Sequence, residues 1–199
     1  GTERVALELD NDEYVFNNAG IDVDFRVESS SSANALKIDA GDNTIEFGSI
    51  PFTSSAGTSN TRIGVNAGNS ITSGGNFNVA VGDEAGTALT TGDANAFFGY
   101  QAGEASTTSS DNTAVGAAAL ATNILGARNT AIGKNALFAH NTTTATSAYN
   151  VAVGYHAGIA VTTGTLNTLI GGLAGDALTS GNNNTAVGYL ALTADTLGD

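Results

Sequence analysis

The chain of 199 residues is rich in glycine (26 residues), lacks cysteine, methionine and tryptophan, and carries a formal net charge of −13 with only six Lys and Arg. So few basic side chains argue against nucleic acid and anionic membranes as partners, because contacts with phosphate depend on Lys and Arg. The lack of cysteine excludes disulfides and thiolate metal sites, and no apolar run approaches the roughly 20 residues that a membrane-spanning helix needs.

Residues 1–50 are predicted to form a small β module. They hold 11 of the 19 acidic residues but only 4 of the 26 glycines, so their composition differs from that of the rest of the chain. The segments "VALEL", "DVDFRVE", "ALKID" and "TIEF" indicate short strands with apolar residues on inward faces. Those residues are Val5, Leu7, Leu9, Val23, Phe25, Val27, Ile45 and Phe47, with turns expected at Asn17-Asn18 and Gly41-Asp42. A linker is predicted over residues 51–59, beginning at the only proline.

From residue 60 the sequence repeats itself eight times, and an Asn followed four residues later by a Gly marks each copy. The pairs are Asn60 and Gly64, Asn78 and Gly82, Asn95 and Gly99, Asn112 and Gly116, Asn129 and Gly133, Asn150 and Gly154, Asn167 and Gly171, and Asn184 and Gly188. Successive copies begin 17 or 18 residues apart, except for one step of 21 residues. Positions within a copy are counted from the repeat Asn, which is position 0.

Each copy is predicted to begin with a short strand. Position 3 is always bulky and apolar, position 1 is Thr, Val or Ala, and position 2 is usually Ala, which is the period of two of an extended chain. We expect the bulky row at position 3 to supply the core, and the small row at position 2 to lie on the opposite face. The Gly at position 4 and a second Gly near position 14 are expected to turn the chain.

A unit with one strand and two turns cannot bury its own apolar side, so the copies are expected to stack. The sequence predicts an all-β fold, a parallel β-roll or β-solenoid of about eight 17-residue coils over residues 60–199, with a ladder of Asn side chains along the stack. A helical repeat is the alternative, but the candidate runs "AGTAL" and "AAALAT" are short for stable helices. The thin core and the row of small residues predict that three chains pack side by side.

The strings "NVAVG", "NTAVG" and "NTAIG" over residues 60–192 resemble the head repeats of trimeric autotransporter adhesins. That resemblance implies a left-handed parallel β-roll with three chains to a head. The longer spacing, with "ALTTG" between units, is more similar to the repeats of bacteriophage tail-fibre proteins, and residues 16–48 resemble a segment common in phage fibres. The resemblance implies a homotrimeric fibre in the virion. A ninth Asn would fall near position 201, so we expect a longer parent protein.

Two groups of residues are candidates for contact with a receptor. His140 belongs to the four-residue insertion within residues 137–150, where a surface loop could bind a ligand or reflect tolerated length variation. Tyr100, Tyr155 and Tyr189 share position 5 and could form an exposed aromatic row for sugars, or contact neighbouring subunits. His156 is expected to be a solvated turn residue.

No cofactor or metal site is predicted. Asp22, Asp24, Asp39 and Asp42 could donate oxygen ligands to Ca²⁺, but the sequence contains no EF-hand loop, and scattered surface carboxylates are the preferred interpretation. Phe97 and Phe98 are interpreted as local packing.

The sequence contains no recognisable catalytic motif, so we expect a protein that is not an enzyme. The leading interpretation is a structural and adhesive segment of a phage tail fibre that contributes to host attachment, with a surface glycan or protein as receptor. A bacterial trimeric adhesin head at the cell surface is the first alternative. An ice-binding β-solenoid and a fibre-bound depolymerase are further alternatives.

Overall fold

The computed structural model describes residues 57–142 and 144–197, together with the backbone of three strands within residues 1–50. The chain divides into two compact units, Gly1–Ile50 and Pro51–Asp199. No helix occurs in the described residues, and none is therefore long and apolar enough to cross a membrane.

The first unit contains a three-stranded antiparallel sheet. Its strands are β1 (Phe25–Ser29), β2 (Ser32–Asp39) and β3 (Thr44–Glu46), in the order β1-β2-β3. They lie where the segments "DVDFRVE", "ALKID" and "TIEF" indicate strands. The predicted strand "VALEL", both predicted turns, the inward-facing side chains and most of the linker lie outside the described residues.

The second unit is a parallel β-solenoid. One three-residue strand from each copy joins a single eight-stranded sheet in chain order. These strands are β4 (Thr61–Ile63), β5 (Val79–Val81), β6 (Ala96–Phe98), β7 (Thr113–Val115), β9 (Thr130–Ile132), β11 (Val151–Val153), β12 (Thr168–Ile170) and β13 (Thr185–Val187). A second, two-stranded sheet pairs β8 (Gly126–Ala127) with β10 (Thr146–Ser147).

The pairing keeps equivalent positions in register. Ala114 lies beside Ala131, for example, and Val115 beside Ile132. The eight strands are joined by about seven turns of solenoid, one fewer than the eight coils expected. The runs "AGTAL" and "AAALAT" form turns, so the helical alternative is wrong.

The repeat Asn residues form a continuous hydrogen-bond ladder inside the stack. At Asn112, the side-chain amide donates to Oδ1 of Asn95 (3.2 Å) and to the carbonyl oxygen of Gly126 (3.0 Å). Its own Oδ1 accepts from the main-chain N–H of Asn129 (2.9 Å). The donors and the acceptor of the buried amide thus all have partners within the stack. These hydrogen bonds account for the recurrence of Asn, and no bound ligand is needed to explain it.

The faces of the strands are opposite to those expected. The position 2 row is buried, with Ala80, Ala114, Ala131 and Ala152 fully inaccessible, whereas the bulky position 3 row points outward. The interior is narrow, and leucines from the far side of the coil fill it, including Leu89, Leu120, Leu137 and Leu178. Because that space is already occupied, most strands can place only a methyl group on the inner face.

Candidate binding surfaces

The position 3 row of the parallel sheet forms an exposed apolar feature on the surface of the solenoid. Its exposed members are between 36% and 67% accessible: Ile63, Phe98, Val115, Ile132, Ile170 and Val187. Val81 and Val153 are half-buried in the same row. Adjacent members are about 4.8 Å apart, the spacing between paired strands, so the row is a straight apolar ridge. A ridge of this kind is typical of a surface that associates with another protein.

The three candidate tyrosines are exposed but do not form a continuous row. Tyr100, Tyr155 and Tyr189 occupy the same turn position, yet Ala117, Lys134 and Gly172 stand at position 5 in the copies between them. Tyr155 stacks on the neighbouring His156, with ring centroids 3.8 Å apart. The half-buried imidazole of His156 also contacts the amide nitrogen of Asn135 at 3.1 Å.

His140 is not part of an exposed loop. It is fully inaccessible, at position 11, where other coils place Leu89, Val161 and Leu178. The hydrogen bond from Asn141 N–H to the Thr162 carbonyl (2.8 Å) shows that the coil keeps its register beyond His140. The four extra residues therefore follow His140, and the expectation that this side chain meets a receptor is wrong. Counting residues between two Asn could not show where within a coil the insertion lies.

The His140 imidazole has an unusual environment. Neither ring nitrogen has a hydrogen-bond partner of good geometry in the described part of the chain. Burial lowers the pKa of His140 to about 4, and the main chain at Thr162 acts in the opposite direction. The hydroxyls of Ser109 and Thr142 are likewise buried without partners. Asn123, directly below His140 in the stack, is satisfied by the main chain of Gly126.

The insertion packs back against the preceding coil. Strand β10 pairs with β8, and the Arg128 guanidinium contacts the Ser147 hydroxyl and lies 5.7 Å from the ring centroid of Tyr149. Arg128 also forms an exposed ion pair with Asp111 at 3.5 Å. A cleft of about 180 Å³ between this segment and the coils is lined by Ser and Thr residues, including Ser110 and Thr146, and by the apolar Leu125, Ala127 and Ala145.

A larger groove of about 570 Å³ crosses the side of the solenoid away from the sheet. Its lining includes the small residues Ala105 and Ala121 and the larger Glu104, Phe138 and Asn141. Neither the repeat pattern nor any motif pointed to this groove. The only sign of the groove in the sequence is that the small Ala121 stands at position 9 between Glu104 and Phe138, the larger position 9 residues of the two neighbouring coils.

The described residues contain no group of three His, Asp or Glu side chains close enough to hold a metal ion. The side chains of Asp22, Asp24, Asp39 and Asp42 lie outside the described part of the chain.

The fold defines the chain as a β-solenoid repeat protein. No family model, curated protein or solved structure matches it.

Proposed function

We propose that this chain is a structural and adhesive segment of a phage tail fibre, in which three copies associate along the apolar ridge formed by the position 3 row. The observation that carries the proposal is the exposure of this ridge on a solenoid whose interior is already filled. Most strands put Val or Ile outside and Ala inside, so the apolar burial that stabilises a domain is incomplete in one chain.

The partner best suited to the ridge is a second copy of the same chain. Its apolar side chains recur at each strand, so a parallel copy presents the same side chains at the same spacing, and the two rows can interdigitate along their length. The resemblance of "NTAVG" and "NTAIG" to adhesin heads supports three copies rather than two.

A trimer of stacked coils suits a mechanical role. The Asn ladder and the in-register sheet join each coil to its neighbours by main-chain and side-chain hydrogen bonds, which favours a stiff rod. Three identical surfaces on one rod multiply weak contacts with a host surface. A bacterial surface adhesin with the same trimer is the alternative, and neighbouring genes distinguish the two: tail genes for a fibre, a membrane anchor for an adhesin.

The threonines at position 12 do not favour an ice-binding function. The position 12 hydroxyls donate to carbonyl oxygens of the next coil, as Thr72 does to Thr90 (3.1 Å) and Thr162 to Thr179 (3.2 Å). A hydroxyl that donates its hydrogen bond to a main-chain carbonyl oxygen is poorly placed to order water molecules at the surface. A thermal-hysteresis assay measures this directly.

Sedimentation equilibrium tests the assembly. We expect a species three times the 19.7 kDa mass of one chain. The double variant Val115→Asp/Ile132→Asp should shift the species toward monomer, because it places charge in the middle of the apolar ridge. Thr163→Asp, on an exposed position outside the sheet, is the control and should leave the mass unchanged. A wild-type chain that remains monomeric at micromolar concentration contradicts the proposal.

The adhesive role is tested separately. Fluorescently labelled protein should bind intact bacterial cells of a susceptible strain and block adsorption of the parent phage. A trimer that binds no cells and blocks no adsorption would have a purely structural role.

A further inference from the structure

We infer that the groove lined by Glu104, Ala121, Phe138 and Asn141 binds a neutral sugar ring. The inference rests on the proposed adhesive function and assigns it a site and a class of ligand.

The groove exists because one row of side chains is interrupted. Position 9 is Glu104 in the third coil, Ala121 in the fourth and Phe138 in the fifth. Ala121 is the smallest residue in this row, and it leaves a gap between a carboxylate on one side and an aromatic ring on the other. Glu104 and Phe138 are two coils apart, which places their backbones about 10 Å from each other. That separation fits one pyranose ring and leaves room for van der Waals contact with Phe138.

The groups around the gap match the two faces of a sugar. Phe138 is 37% exposed and offers an apolar ring for the C–H face of a pyranose. The carboxylate of Glu104 and the side-chain amide of Asn141 have no hydrogen-bond or ion-pair partner among the described residues, so both can accept from or donate to sugar hydroxyls. On the rim, the Gln101 amide donates to Glu84 (2.8 Å), which holds that edge in place.

Charge selects the kind of sugar. No Lys or Arg lines the groove, and the one ionisable lining group is the carboxylate of Glu104. An anionic sugar, such as one bearing a carboxylate or sulfate, would be repelled and would find no cation to pair with. The groove is therefore suited to neutral hexoses.

The site remains accessible in the proposed trimer. Phe97 projects from the sheet across the interior to Gly103 at position 8, so the segment carrying positions 9 to 12 lies across the core from the strands. The groove is lined by residues of that segment and by Gln101 at position 6, and by none from positions 1 to 3. Association along the apolar ridge therefore leaves the groove open, with three copies on one trimer.

The test uses the full chain on an array of neutral glycans that end in glucose, galactose, mannose or N-acetylglucosamine, beside sialylated and sulfated glycans. The best neutral glycan is then titrated by calorimetry against the wild type and variants. We expect Phe138→Ala to weaken binding by roughly tenfold or more, because the stacking surface is lost. Glu104→Gln, which keeps the shape of the side chain, should weaken binding several-fold. Ile159→Ala is the matched control, since Ile159 occupies position 9 of the next coil outside the groove.

Several outcomes would overturn the site: binding of no neutral glycan, binding of anionic glycans only, or wild-type affinity in both Phe138→Ala and Glu104→Gln. The isosteric Glu104→Gln keeps the test valid if Phe138→Ala fails to fold. The mass in solution separates this inference from the fibre proposal. A trimer whose sugar binding is unaffected by both variants overturns the groove alone, whereas a monomer whose binding depends on Phe138 supports the groove and overturns the fibre.

Discussion

The ring of Phe97 occupies the space that a side chain at Gly103 would need, since a Cβ atom at residue 103 would lie 2.6 Å from the ring. Phe97 also fills the space beside Gly86 in the preceding coil, where a Cβ atom would lie 2.9 Å from it. Leu169 bears the same relationship to Gly158 and Gly175. A large side chain on the inner face of a strand thus requires glycine at position 8 of its own coil and of the coil before it.

The converse also holds along the stack. Where position 2 is Ala in a coil and in the coil after it, position 8 is Leu, as at Leu120 and Leu137. Both leucines are fully buried, and both adopt a left-handed backbone with φ of 55° and 49°, a conformation that favours glycine. A large side chain at position 2 is therefore accompanied by Gly at position 8, and Ala at position 2 in two successive coils by Leu at position 8. In this exchange of volume, the core is filled from one side of the coil or from the other.

This exchange predicts the effect of enlarging one alanine. Ala131→Leu should destabilise the solenoid by about 1–3 kcal/mol, because the new side chain would collide with Leu120 and Leu137. The triple variant Ala131→Leu/Leu120→Gly/Leu137→Gly reproduces the arrangement around Leu169 and should recover most of that loss. Equilibrium denaturation at a fixed protein concentration measures both. A triple variant that is less stable than Ala131→Leu alone would contradict the volume exchange.

The repeat Gly at position 4 is predicted to be required for two reasons: its backbone has a positive φ, and the main chain of the next coil lies close to it. Gly116 has φ of 126°, and a Cβ atom there would lie 2.7 Å from the carbonyl carbon of Gly133 in the next coil. Gly188 has a similar φ of 129° but nothing within 4 Å of its Cβ position. Gly188→Ala should cost about 1–3 kcal/mol of backbone strain, and Gly116→Ala should cost clearly more because stacking is also obstructed. Equal losses in thermal or chemical denaturation would show that the close approach of coils contributes nothing.

The features of the fold that the main chain determines could be predicted from the sequence. The recurring Asn and Gly predicted the strands, the stacking and the ladder, because both residues satisfy requirements of the backbone at fixed positions. The inner and outer faces of the strands could not be predicted in the same way. A period of two defines two faces without saying which is buried, and the usual preference for burying Val and Ile fails here because leucines from across the coil fill the interior. The groove at Ala121 depends on which side chains are neighbours across coils, which becomes clear only once the register is known.

The Asn ladder should contribute more in the middle of the stack than at its end. Asn112→Ala removes two donated hydrogen bonds and leaves the buried N–H of Asn129 without its partner, so we expect a loss of about 2–5 kcal/mol. Asn184, just before the last strand, is only partly buried and donates to Asn167 and Asn182. Asn184→Ala is the matched control and should cost less than half as much. If the two substitutions had the same effect on the free energy of unfolding, the ladder would not act as a continuous buried network.

Stability is expected to depend on pH through His140. Its folded-state pKa of about 4 lies below the ordinary value of 6.5, because the buried ring has no good partner for a proton. Between these two pH values the unfolded chain binds a proton that the folded chain does not. The contribution of the neutral imidazole to the free energy of unfolding is therefore complete above pH 6.5 and decreases as the pH falls toward 4. The shift corresponds to a loss of about 3 kcal/mol, which levels off below the folded-state pKa.

Replacement of His140 by an apolar residue isolates this contribution from that of the carboxylates. His140→Leu copies the residue at position 11 in two other coils, Leu89 and Leu178, so the variant should fold. It should be at least as stable as the wild type near neutral pH, since it removes two unsatisfied buried nitrogen atoms. The difference in unfolding free energy between variant and wild type should then grow as the pH falls from 6.5 to 4. His156→Asn, at a half-buried turn position, serves as the control. A difference between His140→Leu and wild type that stays constant over this range would mean that the imidazole takes up its proton in the folded chain, through water or a partner that reaches it in the interior.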